Sequence, residues 1–129
     1  MPPTPPPKTY EDYVREALAL IRQVTPAEAA EAHARGKGTL FLDVREPYEV
    51  AKGAIPGAVA IPRGRLEDDA PDWIFEPEGA VVCYCNTGKR SALAVRTLLE
   101  MGFSGARSIA GGLVAWQAAG HPVGAPRPS

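Results

Sequence analysis

The stretch VVCYCNTGKRSALAV, residues 81–95, runs an apolar segment into a cysteine, a glycine turn, two adjacent cations and a helix-like segment. The run AVVCY (80–84) has no polar alternation, as in a strand buried on both faces, and KRSALAVRTLLEMG (89–102) has helical spacing stopped by Gly102. A strand that passes through a short loop into a helix is the repeating unit of a parallel sheet. In such sheets ligands bind beyond the carboxyl ends of the strands, which directs attention to the residues just after Tyr84.

The same alternation extends outward. TLFLDV (39–44) reads as a buried strand, EPYEVAKG (46–53) as a short helix opened by Pro47, and AVAI (58–61) as another strand. Downstream, RSIA (107–110) reads as a last strand and GLVAWQAAG (112–120) as a helix stopped by Gly120. Two start signals precede these. Thr9 with Asp12 opens a helix ending near Arg22, with Tyr10, Val14, Ala17, Leu18 and Ile21 on one face; Thr25, Pro26 and Glu28 open a second, stopped by Gly36. His33, within that second helix, has no carboxylate or thiol neighbour and reads as a packing or surface residue. The fold class is α/β, a mostly parallel sheet covered on both faces.

A chain of 129 residues fits one domain, since folding at this size buries about 68% of the unfolded chain's surface. A formal charge of −1 gives no electrostatic footprint for nucleic acid or an anionic membrane. The start, MPPTPPPKTY, lacks the apolar core of a signal peptide, and no apolar run approaches the roughly 18 residues of a membrane span. The expectation is a cytoplasmic protein with no nucleic-acid or membrane partner. Residues 1–8, with five prolines, are expected as a disordered lead, 9–22 as an N-terminal helical extension, 23–122 as the domain and 123–129 as a flexible tail.

The two cysteines, Cys83 and Cys85, lie two apart on one strand and point to the same face, a poor geometry for a disulfide, so both are expected as free thiols. With His33 and His121 far apart, no metal site is expected. Cys83, between Val82 and Tyr84, reads as buried packing. Cys85 falls at the strand end, where Asn86, Thr87, Gly88, Lys89, Arg90 and Ser91 must turn the chain into a helix. Backbone N–H groups in such a turn, the helix N-terminus and nearby cations all favour a negative sulfur and can hold an anionic substrate. Cys85 is therefore the candidate nucleophile, and residues 86–91 the candidate anion-binding loop.

From Val24 to Pro122 the chain resembles the rhodanese family of sulfurtransferases in its single-domain form. The likeness rests on DVREPYE (43–49), GAIPGA (53–58), CNTGKRS (85–91) and GGLVAWQAAGHP (111–122), in that order. It implies a five-stranded parallel sheet of order 1-5-4-2-3 flanked by helices, with a first strand at Gln23 and Val24 that the apolar pattern does not reveal. It also implies that Cys85 takes sulfur from thiosulfate or a persulfide donor, becomes a persulfide, and passes the sulfur to cyanide, a small thiol or a thiol protein. No cofactor is implied. Lys89 and Arg90 are suited to drawing in a dianionic donor. Asp43 is expected to orient Arg90 by an ion pair, while Arg45 and Glu49, four apart, are expected to pair structurally. Trp116 is expected in the core; Trp73 and Phe75 are expected in the core or on a rim that meets a donor or partner. The sequence departs from the family at Ala54, where histidine is common.

Two other readings use the same residues. A cysteine-dependent phosphatase or arsenate reductase also sets a thiolate under an anion-binding loop, but its signature has five residues between cysteine and arginine, against four from Asn86 to Lys89 here. A non-catalytic rhodanese-like interaction module is the second, and the intact CNTGKRS loop argues against it.

Overall fold

Reciprocal caps start the first two helices. In a computed structural model, which describes residues 3–128, Thr9 Oγ1 accepts from the Asp12 N–H at 3.1 Å and the Asp12 carboxylate accepts from the Thr9 N–H at 2.9 Å, opening α1 (Tyr10–Leu20). Thr25 and Glu28 repeat the arrangement at α2 (Pro26–Ala34). Each box satisfies two otherwise orphaned donors, which is why both starts are readable from a few neighbouring residues. Residues 1, 2 and 129, the outermost parts of the expected lead and tail, lie outside the described residues.

Between these helices the chain forms β1 (Gln23–Val24), and β2 (Thr39–Asp43), β3 (Val59–Ala60), β4 (Ala80–Tyr84) and β5 (Ala106–Ile109) complete the sheet. All pairings are parallel, in the order β1-β5-β4-β2-β3. Asp43 lies in register with Tyr84, so the carboxyl ends of β2 and β4 open side by side and bring residues 43–45 next to 84–86. The remaining α-helices are α3 (Pro47–Val50), α4 (Leu66–Asp69), α5 (Lys89–Glu100) and α6 (Gly112–Ala118), with short 3-10 turns at Arg63–Arg65 and Ala70–Asp72. Among the described residues, no helix is long and apolar enough to cross a membrane.

The period-two alternation of β4 divides the core. Val81, Cys83 and Cys85 join Leu66 of α4 and Ala94, Val95 and Leu98 of α5 on one face; Val82 and Tyr84 join Ala29 of α2 and Leu113 and Trp116 of α6 on the other. Burial of both faces accounts for the strand's unbroken apolar run. Trp116 is fully buried and its Nε1–H donates to Pro122 O at 2.7 Å. His33 packs edge-on to Phe41 and Trp116, with Nε2 2.8 Å from Pro56 O. Trp73 packs partly against the α5 side, whereas Phe75 is exposed.

The segment expected as a flexible tail is tied down over 124–127. Gly124 exchanges two hydrogen bonds with Ala54, at 2.7 and 2.9 Å, Gly57 N–H donates to Ala125 O, and Arg127 N–H donates to Ala58 O. Residues 54–58 have backbone groups to satisfy there, and the tail supplies the partners.

Candidate active site

Cys85 is 1% exposed, at the end of β4. Its sulfur accepts from the Gly88 N–H at 3.2 Å and the Ser91 N–H at 3.4 Å, and Ser91 Oγ lies 3.5 Å away. Ser91 Oγ is fixed in turn by Ser108 Oγ at 2.8 Å. Gly88, with φ +97°, is the N-cap of α5 and has no side chain to cap it. The Cys85 sulfur occupies the place a capping oxygen would take, facing the positive end of α5. On the other side, Leu113 and Val114 of α6 donate to Cys85 O at 2.8 Å and Asn86 O at 3.0 Å. Gly112 (φ +62°) comes so close that a Cβ there would stand 2.5 Å from Asn86 O.

The charged residues are paired differently from the expected pattern. Asp43 does not meet Arg90: it accepts from the Arg45 N–H and Nε at 3.0 Å and from Arg45 Nη2 at 2.7 Å, with both side chains buried. Glu49 in turn accepts a two-pronged contact from Arg90, Nη1 at 2.7 Å and Nη2 at 3.0 Å. The Asp43–Arg90 and Arg45–Glu49 pairs expected from the sequence are therefore exchanged. The cause is the turn after β2, in which Asp43 accepts from the backbone of Arg45 and from its guanidinium, folding that side chain back while Glu49 of α3 faces the first turn of α5. Arg45 also donates to Gly53 O at 2.8 Å and Asn86 Oδ1 at 3.3 Å, and Asn86 Nδ2 donates to Glu49 Oε2 at 3.2 Å. Asn86 is thus clamped from two sides, and Glu49, expected only as half of a structural pair, enters the site.

Lys89 Nζ donates to Glu11 Oε1 of α1 at 2.8 Å. No local signal could have found a partner so distant in sequence; only the packing of α1 on α5 brings the two together. Thr87 is exposed at the loop tip. Two hollows flank the loop, one of about 360 Å³ between Tyr48, Glu49, Asn86 and Gln117, and one of about 350 Å³ between Glu11, Val14, Leu18 and Thr87 to Lys89. Among the described residues no cluster of His, Cys, Asp or Glu side chains could hold a metal ion.

The environments separate the titrating groups. The Arg90 guanidinium holds the Glu49 carboxyl down to about 2, aided by the Glu46 N–H and the Arg45 charge against the effect of burial. Burial pushes the Cys83 thiol up to about 12, with the neighbouring Cys85 adding to it. Cys83 is fully buried, in keeping with its place inside the apolar run.

A parallel sheet of this order, with a cysteine at the end of its central strand inside a loop of inward N–H groups, defines a three-layer α/β domain built around one thiol. Residues 25–119 match the Rhodanese-like domain family, and the chain belongs to it. It is 28% identical to a sulfurtransferase of Allochromatium vinosum, over 83% of this chain and 98% of that one. It is 35% identical to the chloroplastic thiosulfate sulfurtransferase 16 of Arabidopsis thaliana, over 67% and 80%. Other curated relatives are longer, and the chain spans 24% of one and 46% of another. Among solved structures, a Rhodopseudomonas palustris protein described as a possible tyrosine phosphatase superimposes with a TM-score of 0.81 at 32% identity, covering 96% of this chain and all of that one.

Proposed function

We propose that the protein moves sulfane sulfur from thiosulfate or a persulfide donor to cyanide or a thiol through a persulfide on Cys85. The observation that supports this best is the pair of backbone N–H groups directed at a buried sulfur, Gly88 at 3.2 Å and Ser91 at 3.4 Å. The Cys85 thiolate attacks the outer sulfur of the donor; a sulfur–sulfur bond forms, and the bond to the donor's inner atom breaks, its electron pair leaving with sulfite or a thiolate. In the second half-reaction the acceptor attacks the terminal sulfur and the electron pair returns to Cys85, which is ping-pong chemistry. The two N–H groups stabilise the thiolate that begins and ends the cycle. The turn Asn86–Gly88 surrounds the outer sulfur, and Arg45 and Glu49 act as positioning residues through Asn86.

The phosphatase reading fits less well. Arg90 already spends two donors on Glu49, whereas a phosphoryl group needs an arginine turned toward its oxygens. The test is intact-protein mass spectrometry after thiosulfate treatment. The expected result is a gain of one sulfur atom that cyanide removes, absent in Cys85→Ser and present in Cys83→Ser. An adduct that survives in Cys85→Ser and vanishes in Cys83→Ser overturns the nucleophile assignment. Phosphate release from an aryl phosphate at a comparable rate favours the rival.

A further inference from the structure

α1 lies outside the stretch that matches the family, yet it packs along α5 and reaches the Cys85 loop. Glu11, in its first turn, takes the Lys89 ammonium at 2.8 Å, and Glu11, Val14 and Leu18 share one hollow with Thr87, Gly88 and Lys89. Tyr10, beside Glu11, has its phenol pushed up, chiefly by burial. The helix forms one wall of the hollow beside the loop.

Three cations around that loop are each matched by a carboxylate: Lys89 by Glu11, Arg90 by Glu49, Arg45 by Asp43. Lys52 lines the hollow on the Asn86 side. Two loop cations already matched by carboxylates attract a dianion far less than their adjacency in sequence implies. We infer that α1 is a selectivity wall whose Glu11 biases Cys85 toward donors of low negative charge, such as persulfides carried on thiols, and against dianionic thiosulfate. The inference rests on the sulfurtransferase reading. With a thiol persulfide, Cys85 attacks the outer sulfur, the donor's sulfur–sulfur bond breaks and the donor leaves as a thiolate, so no outside oxidant or reductant is consumed.

Two donors isolate the charge. Thiosulfate is a dianion and benzenethiosulfonate a monoanion, both losing their outer sulfur from a sulfonyl sulfur. Their kcat/KM values, with cyanide in excess, are compared in the wild type, Glu11→Gln and Glu11→Lys. Glu11 is 61% exposed, so neither substitution disturbs the core. For charges within a Debye length of about 10 Å, each unit removed from the wall changes capture by about twofold per unit of donor charge. The thiosulfate-to-benzenethiosulfonate ratio is expected to rise about twofold in Glu11→Gln and about fourfold in Glu11→Lys, and to return toward the wild-type ratio at about 1 M salt, where the Debye length is about 3 Å. A ratio that stays constant across the three proteins, with both donors loading Cys85, overturns the wall alone. Failure of both donors, and of a persulfide carried on a small thiol, to load Cys85 in all three overturns the sulfurtransferase reading and the wall with it.

Discussion

Asp43 and Arg45 bury opposite charges at the end of β2, 0% and 4% exposed, and the donors left on Arg45 reach Gly53 O and Asn86 Oδ1. Removing such charges from water is costly, and the cost is offset only while both partners remain. Asp43→Asn keeps the shape and deletes the charge, leaving a guanidinium in the interior. We expect it to lower stability by about 3–5 kcal/mol in urea unfolding at pH 7 and to slow persulfide formation by loosening Asn86. A loss under about 1 kcal/mol would mean that water or another acceptor compensates Arg45. Cys83 and Cys85 show the same dependence on surroundings: both pack on one face of the sheet, but the loop directs its N–H groups only at Cys85.

Among the elements, α6 secures the loop from behind, through the contacts of Leu113 and Val114 and the close approach of Gly112. Gly112→Ala would drive a Cβ to within 2.6 Å of Asn86 O and Cys85 O, at a φ of +62° that side chains avoid. Gly120, at the other end of α6, has φ +86° and would leave an added Cβ with nothing within 4 Å, so Gly120→Ala isolates the backbone strain. The expected outcome is a cost of about 1 kcal/mol with normal sulfur loading for Gly120→Ala, against a larger cost and about tenfold slower loading for Gly112→Ala. Equal loading rates in the two variants would remove α6 from the site. What is legible in the sequence divides in the same way between local and distant. The caps at Thr9 and Thr25, the strand 80–84 and the cysteine turn depend on neighbouring residues and can be read directly. β1 has two residues, with Val24 the buried one, so no periodicity reveals it and only the family likeness locates it. The ion pairs depart from expectation because Asp43, Arg45 and Glu49 lie within one short segment, and only the tertiary turn decides which acid meets which cation. Glu11–Lys89 and the strap at 124–127 depend wholly on chain packing.

For the molecule as a whole, the Glu49–Arg90 contact joins α3 to α5 across the mouth of the sheet and couples the site to acid stability. Glu49 is held down to about 2, chiefly by Arg90, from an ordinary 4.5. Between those values the unfolded chain binds the proton that the folded one refuses, so this contribution is complete above about 4.5 and is lost as pH falls toward about 2. The gap corresponds to roughly 3 kcal/mol; the Arg90 side chain is 33% exposed, and solvent screening reduces the expected contribution to about 1–2 kcal/mol. The Asp12 and Glu28 carboxyls are lowered too, first by the backbone N–H groups of Thr9 and Thr25, so they steepen the same acid limb. Glu49→Gln removes the Glu49 share alone. Urea unfolding from pH 7 to pH 2 should show the variant about 1–2 kcal/mol below the wild type at neutral pH, with the two curves converging as pH approaches 2. A gap that persists undiminished at pH 2 would show that Glu49 stabilises the fold by packing, independent of its charge.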